Sequence, residues 1–267
     1  MFRKFLIQFF VFIALAGLLW LGLSRINLKK FTRIDQGIET LEEKLGDIFL
    51  NIFRQQHTEV KDGRVNDYLD AILDDLFSRN NIDPNSIDIY LMQSKTVNAF
   101  ALPGRRIIIL TGLVDFTETP EELTGIIAHE IAHVEAGHVM NKLSREIGIS
   151  VLFAAVSGNY NMELLREVAK MIASNSYSRT IEREADQLAF EYLVNAKINP
   201  SGLADVFQRF ADELDVLPQE LQWISTHPAS LERAENLKKL LEQHFINSFR
   251  EYDVEEWNTF KTSLKDL

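Results

Sequence analysis

The sequence of 267 residues contains no cysteine, and that absence removes several chemistries at once. Disulfides, thiolate metal sites, a cysteine nucleophile and cysteine-linked lipids are all excluded. Any metal here must rest on nitrogen and oxygen donors, which favours a catalytic site over a structural one. Positive charge is also short: 28 Lys and Arg stand against 39 Asp and Glu, a formal net charge of -11. That balance disfavours binding to nucleic-acid phosphates. Low-complexity stretches and internal repeats are missing too, so the chain is expected to form one globular domain.

Long apolar runs are rare, and the two that exist sit in informative places. Phe5 to Leu23 is apolar apart from Gln8, and at about 1.5 Å per helical residue it nearly matches a bilayer core of about 30 Å. It reads as a membrane anchor or a signal segment over residues 1–30. Ala14-Leu15-Ala16 resembles a signal-peptidase site, but the apolar run continues through Leu18-Leu19-Trp20-Leu21, which fits an uncleaved anchor better. Basic residues flank both sides, Arg3 and Lys4 before it and Arg25, Lys29 and Lys30 after it. The expectation is a catalytic domain on the extracytoplasmic side, periplasmic in a Gram-negative cell. The second run, 147–156, is too short to span and is expected to be a core helix, or else a membrane-facing element near the site. Residues 31–59 are taken as a helical lead-in, 60–245 as the catalytic domain and 246–267 as an acidic tail.

His129-Glu130-Ile131-Ala132-His133 is the stretch with the most chemistry. On a helix, His133 stands about 40° round from His129 and Glu130 about 100° round, so all three share one sector. Two ring nitrogens can then bind one Zn²⁺ while the carboxylate reaches the water the metal activates. Thr119-Pro120-Glu121-Glu122 starts that helix with capping-box spacing and proline at the first helical position. His138 does not complete a longer HExxHxxGxxH signature, because Ala136 and Val139 stand where glycine and histidine would be needed. On a continuing helix it points about 180° away from His129, so it is expected to face solvent or to pack. His57 and His244 have no partner pattern.

A third ligand is sought in Ser178-Arg179-Thr180-Ile181-Glu182-Arg183-Glu184-Ala185-Asp186. Ile181, Ala185, Leu188, Ala189, Tyr192 and Leu193 form a helical stripe, with Glu182 and Asp186 one turn apart along its edge. Carboxylates at the margin of a core are costly unless something pairs with them, and a metal with its histidines would do so.

HExxH followed by Glu182-Arg183-Glu184-Ala185-Asp186 resembles the HtpX-like and CaaX-prenyl-protease-type zinc metallopeptidases, as do Val97-Asn98-Ala99-Phe100-Ala101-Leu102-Pro103-Gly104 and Thr226-His227-Pro228 with Arg233. The resemblance implies His129, His133 and Glu182 as ligands of one Zn²⁺ and Glu130 as general base and acid. It gives Asp186 the task of orienting a ligating histidine. It adds His227, near the metal or the developing oxyanion, and Arg233. Asn98, Ala99, Phe100 and Ala101 become an edge that takes up substrate backbone as an added strand. Arg105 departs from the family pattern, which has a second glycine there.

Alternation over 97–102, the turn at Pro103-Gly104 and the β-branched run 106–110 predict a hairpin beside the active helix, and Ile87 to Met92 another strand of the same sheet. The fold expected is α+β, predominantly helical and zincin-like, with a small sheet next to the active helix. The function expected is membrane-tethered zinc endopeptidase acting on unfolded or damaged polypeptides, with a non-hydrolytic chaperone or adaptor as the alternative.

Overall fold

The computed structural model describes residues 28–157, 162–213, 221–228, 230–244 and 248–267. The apolar segment 5–23, and with it the anchor expectation, lies outside the described residues. Among those that are described, no helix is long and apolar enough to cross a membrane. The chain divides into a unit ending at Leu41 and a unit of Glu42–Leu267. Of the first, the described part is the opening of helix α1 (Leu28–Gln56). The second contains the sheet and the helices from Gly63 onward.

The expected α+β architecture stands: helices surround one three-stranded sheet of order β1-β3-β2. Strand β1 (Asp88–Met92) runs parallel to β3 (Arg106–Leu110), with Ile89 opposite Ile107, while β2 (Ala99–Leu102) is antiparallel to β3, with Ala101 opposite Ile107. Ile107, Ile108 and Ile109 are fully buried, which is why β3 is the central strand. Strand β2 is therefore an edge.

Arg105 stands in the hairpin turn where the resemblance leads one to expect a glycine. Gly104 and Arg105 take φ of 71° and 54°, a left-handed conformation that costs a residue with a Cβ about 1 kcal/mol. The Arg105 side chain offsets this by donating from Nε to Ser86 O at 2.8 Å and by pairing with Glu135. Glu135 is the last residue of the active helix, so the arginine ties the hairpin to it. One residue on, Arg106 pairs with Asp47 and Glu43 of α1, at 2.8 and 3.3 Å.

Helix α2 (Gly63–Arg79) packs against the active helix, which we label α4 (Pro120–Glu135) after the short α3 (Thr111–Phe116). Thr119 caps α4 by accepting from the Glu122 N–H, and the Glu122 carboxylate reaches back to the Glu118 N–H at 2.7 Å. The reciprocal bond thus falls one residue earlier than a capping box places it. Glu122 keeps a second task, a forked pair with Arg209. Leu123, Ile126, Ile127 and Ile131 of α4 are fully buried, each contributing about 1.5–3 kcal/mol.

Helices α8 (Arg179–Asn195) and α9 (Ser201–Glu213), together with strand β2, hold α4 from its other sides. Between α4 and α8 in the chain lie α5 (His138–Glu146), α6 (Ile149–Ser157) and α7 (Met162–Ser174). Helix α6 takes in most of the second apolar run; Leu152, Ala155 and Val156 are buried while Ile149 and Val151 are exposed, so the helix lies half out of the core rather than within it. Helices α10 (Gln222–Thr226) and α11 (Ser230–Gln243) follow α9. The stretch expected as an acidic tail contributes α12 (Val254–Lys265), whose Trp257 is buried and donates to Glu118 O at 2.7 Å.

Helices α4 and α9 touch backbone to backbone because two glycines face the contact. A Cβ on Gly202 would lie 2.6 Å from the backbone carbon of Glu121, and one on Gly125 would lie 2.9 Å from Leu203 Cβ. Gly202→Ala is therefore expected to force the helices apart and cost about 1–3 kcal/mol, measured as a lower urea midpoint at unchanged slope. A midpoint equal to wild type would show that the contact is looser than described.

Candidate metal centre and active site

Because α4 places its two histidines one turn apart, His129 Nε2 and His133 Nε2 point at a common spot, 3.0 Å from each other. Ser178 caps α8 by accepting from the Ile181 N–H, so Glu182 falls in its first turn, and the crossing of α8 over α4 brings that carboxylate to the same spot. Glu182 Oε2 is 3.5 Å from His129 Nε2 and Oε1 is 3.7 Å from His133 Nε2. His227, at the end of α10, adds Nδ1 at 3.0 Å from Glu182 Oε1 and 3.4 Å from His129 Nε2. All four residues are buried. Donor atoms around a tetrahedral zinc, at about 2.0–2.1 Å from it, sit about 3.4 Å from one another. Five of the edges, at 3.0 to 3.7 Å, match that ion, and the four donors all lie within 4.8 Å of one another.

The carboxylates are held by an arginine. Arg233 of α11 donates from Nε and Nη2 to the two Asp186 oxygens at 2.8 and 2.7 Å, and its Nη1 lies 2.7 Å from Glu182 Oε2. Asp186 Oδ1 is in turn 3.0 Å from His129 Nδ1, on the far side of the ring from the donor cluster. Burial disfavours the ionised forms, but His227 and Arg233 pull the Glu182 carboxyl far below its usual range, and Arg233 pulls Asp186 down. For His129, burial opposes a charge, yet bonds to Asp186 and Glu182 outweigh it and raise the pKa to about 9. His133 goes the other way, since burial and the neighbouring His129 push it well down.

Glu130 stands between this cluster and the sheet. Its Oε2 accepts from the Ala101 N–H at 2.8 Å, while Oε1 is buried with no hydrogen-bond partner, 3.5 Å from His227 Nε2. Burial raises its pKa to about 8. The Ala101 contact also shows which way β2 faces. Asn98 C=O accepts from the Leu110 N–H, so Asn98, Phe100 and Leu102 bond inward to β3 while Ala99 and Ala101 turn their backbone groups outward. Of the four residues expected to meet substrate, the two alanines present the free edge. Phe100 instead packs on Phe53, with ring centroids 4.8 Å apart.

His138 takes the packing alternative of its expectation and stays out of the donor cluster. The active helix does not continue past Glu135: Gly137 takes φ of 65°, and α5 begins at His138 in a new direction. The ring is turned inward, buried, with Nδ1 2.9 Å from His133 Nδ1. Glycine just past a helical run is itself a stop signal and could have shown this. Two aromatics gave no such signal. Tyr177 stacks on His133 at 4.3 Å, and Trp223 stacks on His227 at 4.0 Å while its backbone N–H donates to Val97 O. His57 and His244 lie away from the cluster, His244 bonding Leu240 O.

Residues 64–241 match peptidase family M48. The chain is 28% identical over 165 residues to metalloprotease LoiP of Escherichia coli, covering 60% of this chain and 64% of that protein. It is 24% identical over 219 residues to a putative beta-barrel assembly-enhancing protease of Vibrio cholerae, covering 77% of this chain and 45% of that one. To the mitochondrial metalloendopeptidase OMA1 of Bos taurus it is 29% identical over 172 residues, 58% of this chain and 32% of the relative. The chain thus spans less than two thirds of the length of each of these relatives. Since the family match takes in more than half of the chain and contains the histidine pair, Glu182 and His227, the chain belongs to peptidase family M48, a family of zinc metallopeptidases.

Proposed function

We propose that this chain is a zinc-dependent endopeptidase that hydrolyses extended stretches of unfolded or damaged proteins. The observation that carries this reading is the position of Glu130, one carboxylate oxygen unpartnered beside the donor cluster and the other on the free edge of β2. His129, His133 and Glu182 would hold zinc, with His227 beside them. When bound, zinc would supply Lewis acidity, polarising a carbonyl and acidifying water to a pKa of about 7.

The chain's own groups do the rest. Ala99 and Ala101 offer backbone donors and acceptors that align an extended peptide with little regard for its side chains. Glu130, with a pKa raised to about 8, takes the proton of the attacking water and hands it to the leaving amine. With its hydrogen on Nε2, which takes Nδ1 out of its bond with Glu182, His227 would offer an N–H to the oxyanion that develops on the scissile carbonyl. Asp186 fixes the tautomer of His129, and Arg233 positions both carboxylates. A purely binding protein has no use for the buried Glu130, which favours the enzyme over the chaperone reading.

Glu130→Gln is expected to keep zinc and fold while lowering hydrolysis of a denatured protein about 10²–10⁴-fold, whereas Glu182→Ala loses metal and activity together. Metal content after dialysis and the cleavage rate measure both. Activity of Glu130→Gln within tenfold of wild type at equal zinc content would rule out this assignment.

Zinc uptake should depend on pH with a definite sign. Below about 9 the metal-free His129 carries a proton that the metal must displace, so affinity should fall about tenfold per unit as pH is lowered from about 8 to 6. Calorimetry in buffers of different ionisation heat should register proton release; an affinity flat across that range would contradict the site description.

Tethering is part of the same proposal. It is supported by the apolar segment 5–23 and fits a role in cell-envelope quality control. The full chain is expected to stay with membranes through an alkaline carbonate wash and a variant lacking residues 1–27 to be released. Release of the full chain would remove the anchor from this reading.

A further inference from the structure

We infer that His138 is a positioning residue for the metal centre, accepting the Nδ1–H of His133 and so fixing the ring that presents Nε2 to the metal. This role rests on the zinc-site reading and deepens it. The two rings meet Nδ1 to Nδ1 at 2.9 Å, both buried, with centroids 5.0 Å apart and planes at 69°. A bond between two ring nitrogens needs one hydrogen, and chemistry decides which ring supplies it. If His133 gives the lone pair of Nε2 to a metal, its hydrogen must sit on Nδ1. His133 is then the donor and His138 Nδ1 the acceptor.

The tautomer of His138 is then fixed as well. With its Nδ1 lone pair engaged, a neutral His138 carries its hydrogen on Nε2, which faces Glu184 Oε2 at 3.5 Å. That distance is too long for a good hydrogen bond but close enough for the carboxylate's field to favour the arrangement. Glu184 is largely exposed, so its share is small. The result parallels the other histidine, where His129 Nδ1 faces Asp186 at 3.0 Å. Each of the two ring nitrogens turned away from the metal thus has a partner, one from α8 and one from the start of α5. What places His138 is the left-handed turn at Gly137, φ 65°, which separates α4 from α5 next to the residue whose ring meets His133.

Two substitutions separate an acceptor from a space-filler. His138→Asn can place its side-chain oxygen near the lost Nδ1, whereas His138→Leu fills the volume and accepts nothing. In the full chain, zinc competition against a chromogenic chelator is expected to show His138→Leu weaker than wild type by about 10–100-fold and His138→Asn within about threefold of wild type, with metal-free melting temperatures alike. Equal affinity of His138→Leu and wild type, or equal weakness of both variants, would overturn the inference. Should His138→Leu not fold, imidazole ¹⁵N spectra of the zinc-loaded wild-type chain decide without any substitution: hydrogen on Nδ1 of His133 and on Nε2 of His138 supports it, and hydrogen on Nδ1 of His138 refutes it. A wild-type chain that binds no zinc would instead remove the underlying metal-site reading.

Discussion

Arg233 with its two carboxylates is the interaction on which the rest of this site depends. Two acids and an arginine have been taken out of water, at a cost of several kcal/mol per ion, and only close, multiple contacts can offset that cost. The guanidinium meets Asp186 with two donors and Glu182 with a third, and lies 4.1 Å from the Phe207 ring centroid. Helices α8, α9 and α11 are thereby fixed with respect to one another by polar geometry as well as by packing. The histidines of α4 are then presented to carboxylates that are already oriented, and the glycine contact of α4 with α9 sets how deep that helix sits. The donors of the cluster are thus held in place by the protein's own contacts.

Much of this was legible in the sequence, for reasons that can be named. HExxH on a capped helix is a local pattern, so spacing alone puts both imidazoles on one face. The alternation of 97–102 and the β-branched run of 106–110 are local too, and both strands form. Glu182 and Asp186 could be found because charge at the margin of an apolar stripe calls for a partner. Arg233 and His227 came only with the family resemblance, since nothing in their own neighbourhoods marks a helix end 45 residues or more from Glu182 in sequence as its neighbour.

What was not legible depends on direction and on distant contacts. A helical wheel holds only while the helix does, and one left-handed residue at Gly137 turned His138 from an outward ring into an inward one. The stacking of Tyr177 and Trp223 on the histidines depends on contacts between elements far apart in sequence, which no spacing rule contains. Arg105 was visible as a departure from the family pattern, yet its pairing with Glu135 turns that departure into a link between hairpin and active helix.

The bond from the Ala101 N–H to Glu130 has a consequence for how occupancy and reactivity are coupled. The edge of β2 is not vacant: at one end Val97 O is taken by the Trp223 N–H, and further along the Ala101 N–H is taken by the carboxylate. A peptide strand that claims the Ala101 N–H trades one hydrogen bond for another and gains little from that exchange alone. What it changes is Glu130. A carboxylate that loses a backbone donor becomes more basic, because the donor had been stabilising its charge. Were a backbone seated on that edge, the change in Glu130 would come with it as one equilibrium, with an alanine amide as its pivot.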